Sequence, residues 1–441
     1  MGKKLAPMVR EIGCSRKFIN RLPKELKGQL PGPEEIARLL EDGDERRRRK
    51  KHRGNANMSW TYVNFETLYA SPSRNGIYKP KEFHGRGCRI VNMGELFGFD
   101  FISNQEMNRI ELSETEFAVN SLEDGDLLFG RRSLVEAGAG KCSLVIDPLE
   151  PLTFESSIIR VRLDTEAMNP RFLYYYFRSP QGRGRIYSIV SGTNVKGIRG
   201  SDLKRILIPN PRKAIQDEIA DILSAYDDLI ENNRRRMKLL EESARQLYQE
   251  WFVRLRFPGH EHTRIVGGVP EGWEHTSFED ALVLQRGFDL PVQNRVEGDV
   301  PIYGSTGING FHDKTKVLGP GVVTGRSGTL GEVHYVPNDF WPLNTSLWVK
   351  EFKRVTPLFS LFLMREMDLK QYNGGASVPT LDRKAVHRVD ILIPADRLLL
   401  AFDGFVVPLF DQIGNLTLQN QKLRTSRDLL IPRLMNGEIT V

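Results

Sequence analysis

The 441-residue sequence holds three cysteines, Cys14, Cys88 and Cys142, too few and too scattered for a disulfide framework or a zinc cage. It has no apolar run near the ~20 residues that a membrane-spanning helix requires, and no apolar signal segment opens it. A cytoplasmic protein in a reducing compartment, with no membrane role, is expected. The familiar catalytic signatures are missing too: no G-x-x-x-x-G-K-[ST] phosphate loop, no G-x-S-x-G nucleophile elbow and no H-E-x-x-H zinc motif. A nucleic-acid amino-methyltransferase would carry Asn/Asp-Pro-Pro-aromatic after a Gly-rich turn, whereas Asn210-Pro211 lacks the second proline and the aromatic. Among eight histidines the one close pair, His260-x-His262, falls in a Gly/Pro-punctuated segment where solvated loop residues are the simpler reading. Cys142 opens an apolar run, Cys142–Ile146, as a core residue does. No metal, cofactor or catalytic group is therefore expected in this chain.

Charge is present but unevenly placed. The net charge is +7, yet residues 1–57 alone carry +8, including the Arg46–Lys51 run, which leaves the rest of the chain at −1. The overall basicity is therefore no argument for nucleic-acid binding by the body of the protein. One stretch departs from this balance: residues 171–212 hold nine Lys or Arg against the single acid Asp202, a candidate phosphate-contacting surface.

The strongest positive signal is an internal repeat. Ile219, Tyr226, Asn233, Leu240 and Leu247 recur every seven residues, with Ile222, Leu223, Leu229, Ile230, Met237 and Ala244 between them. Such a period makes one helix face a seam that must pack on another helix. Phe402, Leu409, Leu416, Leu423 and Leu430 form a second ladder, with Val406, Ile413 and Asn420 between, offset from the first by 183 residues throughout. Two ladders of equal length and constant offset indicate duplication. Upstream, Ser191-Gly-Thr-Asn-Val-Lys-Gly-Ile198 leads to Leu203-Lys-Arg-Ile-Leu-Ile-Pro209, and Gly374-Gly-Ala-Ser-Val-Pro-Thr-Leu381 leads to Val386-His-Arg-Val-Asp-Ile-Leu-Ile-Pro394, with a two-residue insertion between the registers. Leu127-Leu-Phe-Gly-Arg131 matches Val322-Val-Thr-Gly-Arg326, and each half opens with a tryptophan five residues before Phe-Glu (Trp60, Phe65-Glu66; Trp273, Phe278-Glu279).

The expected fold class is α/β (α+β), a pseudo-twofold repeat of an irregular domain followed by a long helix. The divisions are a basic extension at 1–57, with a short helix near Glu34–Leu40 or disorder throughout; a first domain at 58–212; a helix at 213–257; a linker at 258–272; a second domain at 273–395; and a helix at 396–441. Pro209 and Pro211 close the first domain and open its helix, proline being tolerated at a first turn. Pro408, inside the second ladder, predicts a kink or a late start. Met58 stands directly before the first half, so initiation there would leave the extension outside the protein. The two helices most simply bury against each other, antiparallel. About 35 residues at a 1.5 Å rise give ~50 Å, more than the ~34 Å between half-sites one DNA turn apart.

The glycine-flanked arginines Arg131 and Arg326 each follow an apolar strand-like run, in a loop where a backbone can approach a ligand. They are placed to reach phosphate or a guanine edge, or else they cap a turn as solvated residues. The small polar loops that precede Ile198 and Leu381 offer hydroxyls and amides to phosphates, or act as hairpin turns. The candidate DNA contacts are Arg131, Arg132, Thr193, Lys196, Arg199 and Lys204 in the first half. In the second half they are Arg326, Ser327, Ser377, Arg383 and Lys384.

Taken together, these features resemble the specificity subunit of type I restriction–modification systems. The resemblance covers about residues 58–441. It rests on two domains that open near a Trp, contain a Gly-Arg strand end and close on Ile-Leu-Ile-Pro. It rests also on the helix Gln216-Asp-Glu-Ile-Ala-Asp-Ile-Leu-Ser-Ala-Tyr-Asp-Asp-Leu-Ile-Glu-Asn-Asn233, the segment Arg245-Gln-Leu-Tyr-Gln-Glu-Trp-Phe-Val253 and the terminal Leu430-Ile-Pro-Arg-Leu-Met-Asn-Gly-Glu-Ile439. The extension 1–57 departs from the family's pattern. The resemblance implies a non-catalytic reader of double-stranded DNA with two target-recognition domains joined by two long antiparallel coiled-coil helices. Its implied partners are two methyltransferase subunits and restriction/translocase subunits, which bring S-adenosylmethionine, ATP and Mg. A specificity subunit of a related methyltransferase–nuclease system and a coiled-coil scaffold without a nucleic-acid role are the alternatives.

Overall fold

The computed structural model describes residues 60–439, with Val441 and the isolated positions Gly32, Glu34 and Arg38; the expectations for the extension 1–57 lie outside the described stretch. By compactness the chain divides into two units, the residues through Glu231 together with Asn420–Val441, and Asn232–Gln419. Each unit holds one of the two expected domains and a part of both long helices.

The strands of unit 1 are β1 (Tyr62–Asn64), β2 (Tyr69–Asn75), β3 (His84–Val91), β4 (Phe101–Ile102), β5 (Arg109–Ile110) and β6 (Leu127–Gly130), followed by β7 (Arg132–Ser133), β8 (Cys142–Val145), β9 (Leu152–Phe154), β10 (Ile158–Leu163), β11 (Lys196–Gly197) and β12 (Leu207–Pro209). A five-stranded sheet runs β2-β10-β6-β8-β4, beside a three-stranded sheet β5-β3-β9 and the pairs β1-β12 and β11-β7. β6 and β8 are buried along their whole length, which is why both read as unbroken apolar runs without alternation. Helix α1 (Pro170–Arg178) starts where Asn169 Oδ1 accepts the Arg171 and Phe172 amides at 2.9 and 3.3 Å, with Pro170 at the first turn. Its residues Phe172–Phe177 are all buried, as a helix enclosed on every side must be. One side meets the sheet and another meets helix α2 (Lys213–Tyr248) through Ile219, Leu223 and Tyr226, with Leu430, Ile431 and Leu434 in the same core.

The strands of unit 2 are β13 (Ile265–Val266), β14 (Val269–Pro270), β15 (Glu274–Ser277), β16 (Leu282–Arg286), β17 (Val300–Gly304) and β18 (Gly307–His312), followed by β19 (Gly321–Gly325), β20 (Val333–Val336), β21 (Trp341–Pro342), β22 (Ser346–Phe352) and β23 (Asp390–Ile393). The sheets run β16-β22-β19-β20, β18-β17-β21, β15-β23 and β13-β14. Apart from β4, which has no counterpart, the first three repeat the strand order of unit 1: β2-β10-β6-β8, then β5-β3-β9 with its one parallel and one antiparallel pairing, then β1-β12. Helix α3 (Pro357–Glu366), capped by Thr356, corresponds to α1 and is buried from Leu358 to Met364. It packs on Ala244 and Tyr248 of α2 and on Phe402 and Val406 of helix α4 (Asp396–Met435).

Within each unit the contacts between α2 and α4 run antiparallel. In unit 1 Asp227 pairs with Arg427, and Asn420 Nδ2 donates to the Ile230 carbonyl at 3.2 Å. In unit 2 Met237 meets Thr417 and Tyr248 meets Phe402. Of the two ladders, Ile219, Tyr226, Asn233, Phe402, Leu416 and Leu430 are buried, and Leu240, Leu247, Leu409 and Leu423 half-buried. Past Tyr248 the backbone widens into one π turn, Gln249–Val253.

Two expectations need correction. The two-residue insertion is absent: Leu207 pairs with Asn64 and Asp390 with Ser277, Ile208 with Val63 and Ile391 with Thr276, so the 183-residue offset continues through the strand. The matching Ile-Leu-Ile-Pro text is two residues out of register, a slip that keeps every side chain on its own face. Pro408 does not delay α4, which begins at Asp396; Phe402 and Val406 are buried ahead of it while Pro408 lies on the exposed side. Helix α4 is by length and composition apolar enough to cross a membrane, its best window reaching a mean hydropathy of 1.2. Asp403 and Asp411 interrupt that window, and the side bearing Phe402 is core.

Candidate nucleic-acid interface

The two Gly-Arg strand ends fold alike. After β6, the Arg131 amide donates to the Ser157 carbonyl at 2.8 Å, its guanidinium Nη1 donates to the Ser156 carbonyl at 3.4 Å, and its own carbonyl accepts from the Ile198 amide at 3.0 Å. After β19, the Arg326 amide donates to the Thr345 carbonyl at 2.9 Å, Nη1 donates to the Asn344 carbonyl at 3.2 Å, and its carbonyl accepts from the Leu381 amide at 2.8 Å. Both arginines are half-buried. Part of each guanidinium thus ties a strand end to the loop entering the neighbouring strand, and the remaining N–H groups are left for a ligand.

The small polar loops close onto these same arginines. In unit 1, Ser191 and Gly197 exchange backbone hydrogen bonds at 2.9 Å, and Lys196 and Gly197 pair with Ser133 and Arg132. In unit 2, the Gly374 amide donates to the Thr380 carbonyl at 2.8 Å, and Ser327 pairs with Thr380. The structure therefore brings Arg131, Arg132, Thr193 and Lys196 together at one loop cluster, and Arg326, Ser327 and Ser377 at its counterpart. Arg132, Thr193 and Ser377 are exposed. Arg199 is exposed before the short helix Gly200–Leu203, and Arg383 and Lys384 begin the helix Arg383–His387, capped by Asp382. Arg383 Nη1 also donates to the Leu284 carbonyl at 3.4 Å.

The basic stretch 171–212 is less available than its composition suggests. Arg178 pairs with Asp100 at 2.6 Å and donates to the Tyr174 hydroxyl at 2.6 Å. Burial works against its charge, but Tyr174 and Asp100 outweigh burial and raise its pKa. Arg183 donates to the Gly140 and Ala139 carbonyls, and Lys204 pairs with Glu66 at 3.0 Å. Arg178 and Arg183 thus serve the fold and Lys204 is engaged by an exposed carboxylate, which corrects the reading of the stretch as a single phosphate-facing surface. Lys204 also borders an open groove of about 590 Å³ beside β2, shared with Arg74, Ser73 and Ser201. Arg74 gave no sequence signal, because it lies in a strand whose alternation carries no motif.

Sequence reasoning also passed over the apolar side chains of these loops. Leu134 and Val135, directly after β7, are exposed, as are Val195 and Val378. The Cys142 thiol is pushed up by burial, away from any nucleophilic role. Among the described residues, no three His, Cys, Asp or Glu side chains gather as a metal site.

Residues 95–242 match the family model described as the type I restriction modification DNA specificity domain. A putative type I specificity subunit of Mycoplasma genitalium is 37% identical over 301 residues, covering 62% of this chain and 72% of that protein. The MjaIX type I restriction enzyme specificity subunit of Methanocaldococcus jannaschii is 25% identical over 397 residues, covering 82% of this chain and 89% of the relative. The crystal structure of a type I restriction–modification S subunit from M. genitalium superposes with a TM-score of 0.52 at 18% identity, over 86% of this chain and 97% of that one.

Proposed function

This chain belongs to the specificity subunits of type I restriction–modification systems, non-catalytic subunits that recognise DNA targets, and on that premise we propose that its two recognition domains each read one half of a split double-stranded DNA target. The observation that carries this reading is the duplicated loop cluster, in which the same arginine, closed by the same polar loop, recurs at equivalent strand ends. Its exposed donors, Arg132, Thr193 and Arg199 in one unit and Ser377, Arg383 and Lys384 in the other, together with the half-buried Lys196 and Ser327, contact phosphates and base edges, while Arg131 and Arg326 combine that contact with tying the loop. Lys204 joins them by exchanging its carboxylate partner for phosphate. Helices α2 and α4, antiparallel, join the two domains and set the unspecified gap between half-sites. Their outer faces dock two methyltransferase subunits and, through them, restriction/translocase subunits. Methyl transfer and ATP-driven steps belong to those cytoplasmic partners, which bring S-adenosylmethionine, ATP and Mg.

The test is an exchange. Replacing residues 273–394 by the corresponding domain of another specificity subunit and sequencing the methylated sites of the assembled complex should change one half of the target and leave the other intact. An assembled complex that loses both halves would refute independent readers.

A further inference from the structure

The loops carrying Thr193 and Ser377 share a feature that the proposed donors do not use. Gly192 sits at φ +105°, and a Cβ on it would lie 2.2 Å from the Val195 carbonyl oxygen; a Cβ on Gly375 would lie 2.1 Å from the Val378 carbonyl oxygen. Neither distance admits a side chain, so in both loops only glycine fits beneath the valine carbonyl. The same two loops are tied at their far ends by the Ile198 and Leu381 amides on the arginine carbonyls. Each turn is thus fixed at both ends, and each holds a valine in the open, Val195 47% and Val378 54% exposed. The residue across the loop pair is exposed as well: Leu134, next to Ser133, which pairs with Lys196, and Thr329, next to Gly328, whose amide donates to the Pro379 carbonyl.

A single exposed valine is ordinary surface. Two at the same position of a duplicated loop, each locked by a glycine in a chain whose halves have diverged elsewhere, indicate selection for what the side chain touches. Valine offers no hydrogen bond, so it gains nothing from phosphate. It is short and stiff at χ1, too short to pry base pairs apart as longer apolar wedges do. The apolar feature that a short, rigid methyl-bearing side chain can meet in the major groove is the C5-methyl of thymine.

Resting on the DNA-reading function proposed above, we propose that Val195 and Val378 each read one thymine by seating on its C5-methyl group. The experiment uses the assembled methyltransferase complex and duplexes carrying its sequenced target, in which each thymine in turn is replaced by deoxyuridine, removing that methyl and leaving base pairing unchanged. One thymine in each half-site should respond, with binding weakened about fourfold, the effect of one buried methyl-sized group. In Val195→Ala the response should vanish in one half-site and persist in the other; Val378→Ala should do the converse, and Val195→Ile should keep it. A half-site without thymine, a duplex series without any response, or alanine variants that keep the full response would overturn the proposal. A complex that binds no defined sequence would instead remove the DNA-reading function beneath it.

Discussion

Where helix α1 meets the long helices in unit 1, the Tyr175 hydroxyl donates to Asp227 Oδ2 at 2.6 Å, and Asp227 pairs with Arg427, all three largely or wholly buried. The equivalent positions in unit 2 are Phe362, Phe410 and Ala244, with Phe362 and Phe410 in edge contact at 6.1 Å. One fold position is therefore filled by a buried ion pair with a phenol in one unit and by an aromatic pair over alanine in the other. The comparison teaches that the joint demands volume and internal consistency, and that charge there is one solution among several. A buried pair offsets its desolvation cost only while both partners are present.

The largest expected effect follows. Asp227→Ala leaves the buried Arg427 charge with only the exposed Asp428 carboxylate, at 2.9 Å, as its partner, and should cost unit 1 up to about 3–5 kcal/mol in urea unfolding. Transplanting the unit 2 trio, Tyr175→Phe with Asp227→Phe and Arg427→Ala, should recover most of that loss, because no charge is left to desolvate. A transplant as damaging as the single substitution would break the comparison.

A second joint differs in titration rather than in packing. Phe65-Glu66 and Phe278-Glu279 are equivalent, and so are Lys204 and His387. Glu66 pairs with Lys204 at 3.0 Å, both substantially exposed, whereas Glu279 meets His387 Nδ1 at 3.2 Å and the buried ring accepts the Leu284 amide on Nε2 at 3.0 Å. Accepting on Nε2 requires the neutral ring. Burial, opposed by Glu279 and assisted by Arg383, lowers the His387 pKa below its ordinary value. The unfolded chain then binds more protons than the folded one as pH falls below about 6.5. This contribution is therefore fully present above that pH and is lost on acidification. Unit 2 should lose stability between neutral pH and the depressed pKa through this residue. His387→Gln, which keeps an acceptor, should flatten that part of the profile, while His387→Ala should cost about 1–3 kcal/mol by leaving the Leu284 amide unsatisfied. An unchanged pH profile in His387→Gln would show that the ring is not what titrates.

Much of this was legible in the sequence, and what was not has a physical reason. The heptad ladders were readable because a helix face repeats along the chain, and the Gly-Arg and small-polar loops because a turn needs particular residues at fixed positions. The matching order of the sheets was hidden: β3 with β9 and β17 with β21 pair across 60 and 40 residues or so of intervening chain, and their side chains share no motif. The role of Arg178 was misread because its partner Asp100 comes from a distant loop. Val195 and Val378 escaped because exposure, which makes them candidates, is a property of the folded loop alone.

The smallest expected effect bears on the interface itself. Lys204 is counted among the DNA contacts, yet its ammonium is held by Glu66, with the two side chains 37% and 56% exposed. An ion pair so open to water contributes at most about 1 kcal/mol, so Glu66→Gln should leave the unfolding midpoint of unit 1 almost unchanged. The same substitution frees the ammonium and removes a carboxylate that repels phosphate. If Lys204 exchanges its partner on binding, Glu66→Gln should tighten DNA binding at low salt. Removal of the lysine by Lys204→Ala should lower the slope of log affinity against log salt by about one, uniformly across sequences. In unit 2 the equivalent Glu279 holds a neutral histidine, so Glu279→Gln should leave the salt slope where it is. Equal responses in the two units would mean that the carboxylates act through the general field of the surface. No response to Lys204→Ala would assign the lysine to the fold alone.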